Sequence, residues 1–472
     1  MHELEYIFHP KSVAVVGAST DPRKWGNMYL DLLLEFGFKG KVYAVNPNES
    51  NVLGLETYPS LRDIQEPVDY VISTIAAELC PELMEQCVAK GVKVVQFFTA
   101  RLAETGEPDR IALERKIVEI ARRGGIRLLG PNCMGIYYPE ENLSFRFNFP
   151  RESGHVGSFC QSAGNTAEFI YRAAIRGVRF SKVIHYGNAS DLNESDFMDY
   201  LAQDPQTTII GAYIEGVRDG PRFCEGLKRA ASKKPVAIYK PGRTEAGARA
   251  LASHTASLSG SAEIWDGLCR QTGAIRVESV EELGDMLIAF QFLPPPRGRR
   301  VGLMGSGGGG SISASDECES MGLTIPQLTA EQREEVKKFA PYTWVLINNP
   351  LDSSVTGSLD VTAKSIELIG RDERVDFLIY DAGTEWALDR PQGVRDMQTI
   401  VDIGLNLRHS VGKPMAVIIR SADCPEDWRW QASVEAQERC IRAGLPVFPT
   451  TLRAVCAISR LIHYYEQRDG RR

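Results

Sequence analysis

The sequence predicts an α/β protein of three successive units, each built on a largely parallel sheet covered by helices. Three observations carry this. Short apolar runs alternate with stretches of helical period along most of the chain. The chain holds 42 glycines among 472 residues, and several apolar runs end in one, as tight strand-to-helix turns require. Two proline-containing stretches interrupt the alternation and divide it in three.

In the first unit the strand pattern SVAVVGA starts at residue 12 and the helix pattern NMYLDLLLEFGF at 27. KVYAVNP is a second strand, VDYVISTI a third, VKVVQFF a fourth and IRLLGPN a fifth, with helices predicted over PELMEQCVAKG and DRIALERKIVEIARRGG. Runs this apolar, separated by helices, are strands buried on both faces of a parallel sheet. Ligands of such sheets bind at the carboxyl ends of the strands. Those ends hold Gly17-Ala18-Ser19, Val45-Asn46-Pro47, Ser73-Thr74 and Gly130-Pro131-Asn132-Cys133. A polar, proline-containing stretch then sets a boundary after residue 147. The second unit, 148–296, has strands in HVGSFCQSAGN, SKVIHYGN, TTIIGAYIEG and KPVAIYKPG. Ser279 and Glu282 have capping-box spacing before its last helix, which stops at Leu293-Pro294-Pro295-Pro296. The third unit, 297–472, opens on RVGLMGSGGGGSISAS and continues through the strands VDFLIYDAG and MAVIIRS and the helix VEAQERCIRAG.

Composition narrows the class. A formal charge of −7 argues against a general nucleic-acid binder. Ten cysteines lie scattered, with no CxxC pair or zinc spacing, so reduced thiols and a cytoplasmic location are expected. The start MHELEYIFHPKSV lacks the pattern of a signal peptide, and no apolar run has the length of a membrane span. No metal site is expected.

Four places can carry chemistry. The turn GASTDPRKWGN can bring backbone amides to a phosphate, or be a plain tight turn. It lacks GxGxxG, and Asn46-Pro47-Asn48 stands where an NAD site has an acid, so a nicotinamide dehydrogenase is disfavoured. Gln161-Ser162-Ala163-Gly164-Asn165 is either an anion-binding turn or a simple helix start. His254 lies among small residues in RALASHTASLSGS, which explains it poorly as core packing. Neutral imidazole is a competent phosphoryl nucleophile, and a carboxylate on its second nitrogen would fix the tautomer. Glu215, ending AYIEG, is placed by pattern at a sheet edge; its alternative is a solvated loop acid. Gly305–310 lacks the GK[ST] of an NTPase loop and reads as a turn or an interface loop.

In this order, VAVVGAS, VNP, GPNCMGI, QSAGN, YIEG and GRTEAGARALASHTASLSGS resemble the alpha-type part of the NDP-forming acyl-CoA synthetases, the superfamily of succinyl-CoA synthetase. The likeness runs over nearly the whole chain; INNPLD at 347–352 resembles part of the family's last domain. It implies a Rossmann-like CoA-binding domain over 1–147 and two flavodoxin-like domains over 148–296 and 297–472. It implies His254 as the phosphorylated residue with Glu215 as its support, and Gln161, Ser162, Ala163 and Gly164 around the phosphate. CoA would lie across Gly17, Ala18, Ser19, Val45, Asn46, Pro47, Ser73, Thr74, Asn132 and Cys133. The implied reaction joins a small carboxylic acid to CoA at the expense of ATP. A non-catalytic CoA-binding regulator on the same scaffold is the alternative, disfavoured because His254 and Glu215 are both kept.

Three departures from the family pattern matter. The ATP-grasp domain that would bind ATP with Mg is not seen, which implies a separate ATP-grasp beta subunit and an alpha2beta2 assembly. Asn48 stands where a lysine usually follows Asn-Pro. Leu143-Ser144-Phe145-Arg146-Phe147 replaces small residues beside the expected acyl pocket. Arg146 there could hold a second anionic group of a dicarboxylic or sulfonated acid, or be a surface arginine over aromatics.

Overall fold

Three sheets organise the chain in the computed structural model, which describes residues 2–255, 261–305, 307–420 and 426–470. The first has the order β3-β4-β2-β1-β5-β6-β7. Its strands are β1 (Ser12–Val16), β2 (Lys41–Val45), β3 (Asn51–Val52), β4 (Leu55–Tyr58), β5 (Tyr70–Ser73), β6 (Val94–Phe97) and β7 (Arg127–Leu129). All pairings are parallel except β3 with β4, so six strand ends meet along one edge. β1 is buried throughout, the outcome expected of a Val/Ala run covered on both faces. Local chemistry sets the helix ends. Helix Trp25–Phe36 stops at Gly37, whose left-handed φ of 75° lets its amide reach the Leu33 and Leu34 carbonyls. Helix Pro108–Arg123 has Asp109 in its first turn and Arg122 and Arg123 in its last, each opposing the dipole end it faces.

The second sheet has the order β13-β12-β11-β9-β10-β8. It contains β8 (Gly135–Tyr137), β9 (Val156–Cys160), β10 (Phe180–His185), β11 (Ile209–Tyr213), β12 (Val236–Tyr239) and β13 (Ile275–Val277). Only β8 is antiparallel, pairing Val183 with Tyr137 through His185 with Gly135. This sheet therefore begins before the boundary expected after residue 147. Ser279 accepts the Glu282 amide at 3.1 Å, as the capping-box spacing predicts, and the Glu282 carboxylate takes the Glu278 amide at 2.8 Å. The third sheet, β14-β15-β16-β17, is parallel throughout: β14 (Val301–Met304), β15 (Phe377–Asp381), β16 (Met415–Ile418) and β17 (Val447–Phe448).

The chain divides into two compact units: Met1–Ala174 with Val178–Leu283, and Ile175–Gly177 with Gly284–Arg472. The first two sheets thus share unit 1, and the division in the chain comes at 283/284, ahead of the proline run. Unit 2 closes around a buried ion triad. Asp285, 2% exposed, accepts from Arg176 at 2.6 Å and from Arg453 at 2.6 and 2.9 Å, and Arg176 also donates to the Val447 carbonyl. Among the described residues no helix is long and apolar enough to cross a membrane.

Candidate active site

The carboxyl edge of the first sheet is one hydrogen-bonded rim. The amides of Gly17 and Ala18 donate to the Val45 carbonyl at 3.0 and 3.2 Å, and Asn46 Nδ2 donates to the Ala18 carbonyl at 2.5 Å. Thr74 Oγ1 donates to the carbonyls of Val16 and Gly17 at 3.1 and 3.3 Å. Gly17 needs its lack of a side chain: φ is +95°, and a Cβ would stand 2.5 Å from Thr74 Oγ1. Gly26 is held more tightly still, since a Cβ there would be 1.9 Å from the Gly17 carbonyl oxygen. The start of helix Trp25–Phe36 is thereby pressed onto the turn. Its N-cap, Lys24, makes no side-chain cap, and Asn27 Nδ2 ties the Ser19 carbonyl at 2.8 Å.

The expected CoA residues fall into two groups. Pro47 and Asn132 are exposed, and Gly17, Asn46 and Thr74 half-buried, at the mouth of the rim. Ala18, Ser19, Val45, Ser73 and Cys133 are buried and act as its buttress. Ser73 Oγ lies 3.4 Å from Thr99 Oγ1, and the Thr99 carbonyl accepts the Asn132 amide at 2.9 Å. Burial pushes the Cys133 thiol well above the ordinary thiol range, and it donates to the Leu129 carbonyl. Asn48 is exposed and its amide closes on Asn46 Oδ1 at 2.9 Å. Gly26, Asn27 and Thr99 were not singled out from the sequence; the signal for Gly26 was a second glycine at the start of the helix after the turn.

In the second sheet β9 delivers Gln161 and Ser162 to the start of helix Ala163–Ile175. Gln161 is engaged through both its backbone and its side-chain oxygen. Its amide donates to the Tyr213 carbonyl, and its Oε1 accepts the amides of Glu215 at 2.6 Å and Gly216 at 2.9 Å. Its side chain therefore fixes the strand end that carries Glu215. Ser162 Oγ accepts from Asn165 Nδ2 at 3.1 Å, and the same amide donates to the Tyr213 hydroxyl at 3.0 Å. Gly164 is exposed, with open space where a side chain would be.

Glu215 is 3% exposed and not the solvated loop acid that was its alternative. Burial, with the nearby Glu215 charge and hydrogen bond, raises the Tyr213 phenol, so Tyr213 stays protonated against this carboxylate. Lys240 is buried at the end of the neighbouring strand and donates to the Pro241 carbonyl at 2.8 Å. Burial brings its ammonium down to about 8, against the opposing pull of Glu215. Lys240 was missed because KPG at a strand end reads as turn chemistry. The backbone of His254 lies in helix Glu245–Thr255; its side chain is outside the described residues, so the pairing with Glu215 is not part of the observed geometry.

Arg146 does not sit between Phe145 and Phe147. Phe145 is buried, Phe147 is exposed, and the guanidinium lies 5.7 Å from the ring centre of Trp25, which packs on Phe98 at 4.4 Å. In unit 2 the glycine run begins helix Gly308–Ser320. Gly305, with φ +100°, abuts the Asp381 carbonyl, and a cavity of about 410 Å³ opens beside it, lined by Ser353, Thr356, Ser358 and Asp381 among others. Among the described residues no cluster of His, Cys, Asp and Glu could hold a metal ion.

The Gln161–Gly164 turn, tied to the strand end of the buried Glu215 and lying in one compact unit with the Rossmann-like first sheet, is the arrangement expected of an acyl-CoA ligase scaffold. Comparison with known proteins agrees. Residues 11–139 match the CoA binding domain, and 153–290 match the succinyl-CoA ligase like flavodoxin domain. The acetate–CoA ligase [ADP-forming] II subunit alpha of Pyrococcus furiosus is 37% identical over 80% of this chain and 81% of its own. The corresponding subunit alpha of that organism's ligase I is 32% identical over 97% of each. The dinucleotide forming acetyl-coenzyme A synthetase 1 of Ca. Korarchaeum cryptofilum, solved with phosphate and ADP, superposes with a TM-score of 0.82 at 31% identity, covering 99% of this chain and 98% of that one. The chain belongs to the NDP-forming acyl-CoA synthetases, as an alpha-type chain of an ADP-forming acid–CoA ligase.

Proposed function

We propose that this chain performs the acyl-transfer half of acid + CoA + ATP = acyl-CoA + ADP + phosphate, with His254 as phosphoryl carrier. The observation that carries the reading is the buried Glu215, whose strand end is fixed to the Gln161–Gly164 turn by the backbone amides of Glu215 and Gly216 donating to Gln161 Oε1. In this reading Glu215 accepts the second ring N–H of His254 and stabilises the charge that develops on phosphorylation. Phospho-His254 then passes its phosphoryl group to the acid, and the CoA thiolate attacks the acyl carbon as phosphate leaves. Ser162, Ala163 and Gly164 would receive the phosphate at the exposed start of a 13-residue helix. CoA would lie on the rim from Gly17 to Asn132. The Gly17 turn, pressed against the uncapped helix start at Trp25, suits its diphosphate.

ATP with Mg would load His254 from a separate ATP-grasp beta subunit, in an alpha2beta2 assembly in the cytoplasm. The acid would be short; a second anionic group on it, as in a dicarboxylate or a sulfonate, would be met by the guanidinium of Arg146, which lies over Trp25. The test is to add ATP–Mg and a matching ATP-grasp subunit and to look for acid-labile, base-stable phosphate. Label is expected on the native chain and absent from His254→Ala. No label with the correct partner, or label that survives the substitution, overturns the phosphohistidine.

A further inference from the structure

The Gly130–Met134 loop and the Gln161–Gly164 turn come from different sheets of unit 1, yet one side chain joins them. His185 ends β10 and is 1% exposed. Its Nδ1 accepts the Met134 amide at 2.7 Å, and its Nε2 lies 2.8 Å from the Gln161 carbonyl. Because a backbone N–H points at Nδ1, that nitrogen carries no proton. Nε2 must then carry it and donate to Gln161, so the imidazole is neutral and of one tautomer.

Both ends of this bridge are tied further. The Met134 carbonyl accepts from Tyr29 Oη at 3.0 Å and Gln96 Nε2 at 2.9 Å. The residues after His185 run along the same loop: Asn188 donates its amide to the Pro131 carbonyl at 2.9 Å, and Ser190 to that of Gly130 at 3.1 Å. At Gly187 a Cβ would come within 2.2 Å of the Pro131 oxygen. At the other end, Gln161 fixes the amides of Glu215 and Gly216. A path of short hydrogen bonds, running through Gln161 from its carbonyl to its side chain, therefore leads from the Cys133–Met134 peptide, one residue past Asn132, to the amide of Glu215, with a single imidazole at its centre.

We propose that His185 is a positioning residue that sets the CoA loop and the phosphoryl turn in one register, so that the thiol and the acyl phosphate meet. The proposal rests on the reading of those two loops as CoA and phosphate sites. Neither bond serves the fold alone, since each fixes a peptide next to an expected ligand.

The two bonds can be cut one at a time. His185→Asn keeps an acceptor near the place of Nδ1 and loses the donor to Gln161. His185→Gln keeps a donor near the place of Nε2 and loses the acceptor for Met134. CoA binding is measured by calorimetry and inorganic phosphate binding by a thermal-shift titration, on the full chain. His185→Asn should weaken phosphate and spare CoA, and His185→Gln the reverse, each by about fivefold for one hydrogen bond. Equal weakening of both ligands in both variants, or no change in either, overturns the role. The native chain offers a check that needs no variant: saturating phosphate should slow hydrogen exchange at the Met134 amide, and unchanged exchange refutes the coupling. A native chain that binds neither ligand defeats the site assignment itself. Binding by the native chain with an uncrossed pattern in the variants defeats only the role of His185.

Discussion

Acid should weaken unit 1 through His185, and the size of the effect follows from its surroundings. Burial holds the imidazole down at about 4, from an ordinary 6.5, with the bond to Gln161 opposing. The folded-state value is depressed, so the unfolded chain takes up the proton first as pH falls. The contribution is complete above 6.5, is lost progressively down to about 4, and is constant below that. The full span corresponds to about 3 kcal/mol, of which roughly 2.5 is lost by about pH 4.5. Carboxylates elsewhere also titrate here, so the comparison is with His185→Gln, which keeps one bond and cannot ionise. Urea midpoints of both chains would be followed by hydrogen exchange in peptides covering 130–137 and 156–160, because the two units need not unfold together. The native chain should lose roughly 2.5 kcal/mol more than the variant between about pH 7 and about pH 4.5. Parallel losses would refute a neutral, buried His185.

Three further outcomes are expected. Gly26→Ala puts a methyl group 1.9 Å from the Gly17 carbonyl oxygen, so helix and turn must separate. CoA affinity measured by calorimetry should fall by at least about tenfold, with a smaller effect on unit 2. Asp285→Asn leaves Arg176 and Arg453 without their carboxylate and should destabilise unit 2 by roughly 3 kcal/mol, read by exchange in its helices. Arg146→Ala should lower turnover of doubly charged acids by about tenfold relative to acetate in the reconstituted enzyme, the worth of one charge-assisted pair; an unchanged preference refutes the anion site.

The long buried strands were legible because each is a run of β-branched and small apolar residues with a turn at its end. β1, β5, β9 and β11 are of this kind. β8 was not, since Gly135–Tyr137 is three residues with no period, and its partner β10 follows only after β9. Strand ends gave the rim of the first sheet but not the direction of each side chain. Val45 and Cys133 were placed with the ligand-facing residues, yet both side chains belong to the core. His185 was passed over for a related reason: a histidine closing an apolar strand reads as packing. Its two partners lie 51 and 24 residues away, beyond the reach of any local pattern. The place of Glu215 was legible because the strand pattern of AYIEG puts it at the carboxyl edge of its sheet, just past the end of β11.

The antiparallel strand β8 bears on how this chain can be cut. It is the last element before the polar stretch at 138–155, and it hydrogen-bonds with β10 on the far side of that stretch. A protease that nicks the connection would therefore not release two domains. The upstream fragment would stay attached through its own strand, and the nicked protein would migrate as one species until denatured. Expressed alone, the downstream fragment would present the bare side of β10 at Val183–His185, an unpaired edge open to self-pairing. Co-expression of the two fragments would supply β8 and restore a soluble unit. The exposed residues 151–153 are thus where a cut should leave the unit assembled, and the start of the second sheet is where it should not.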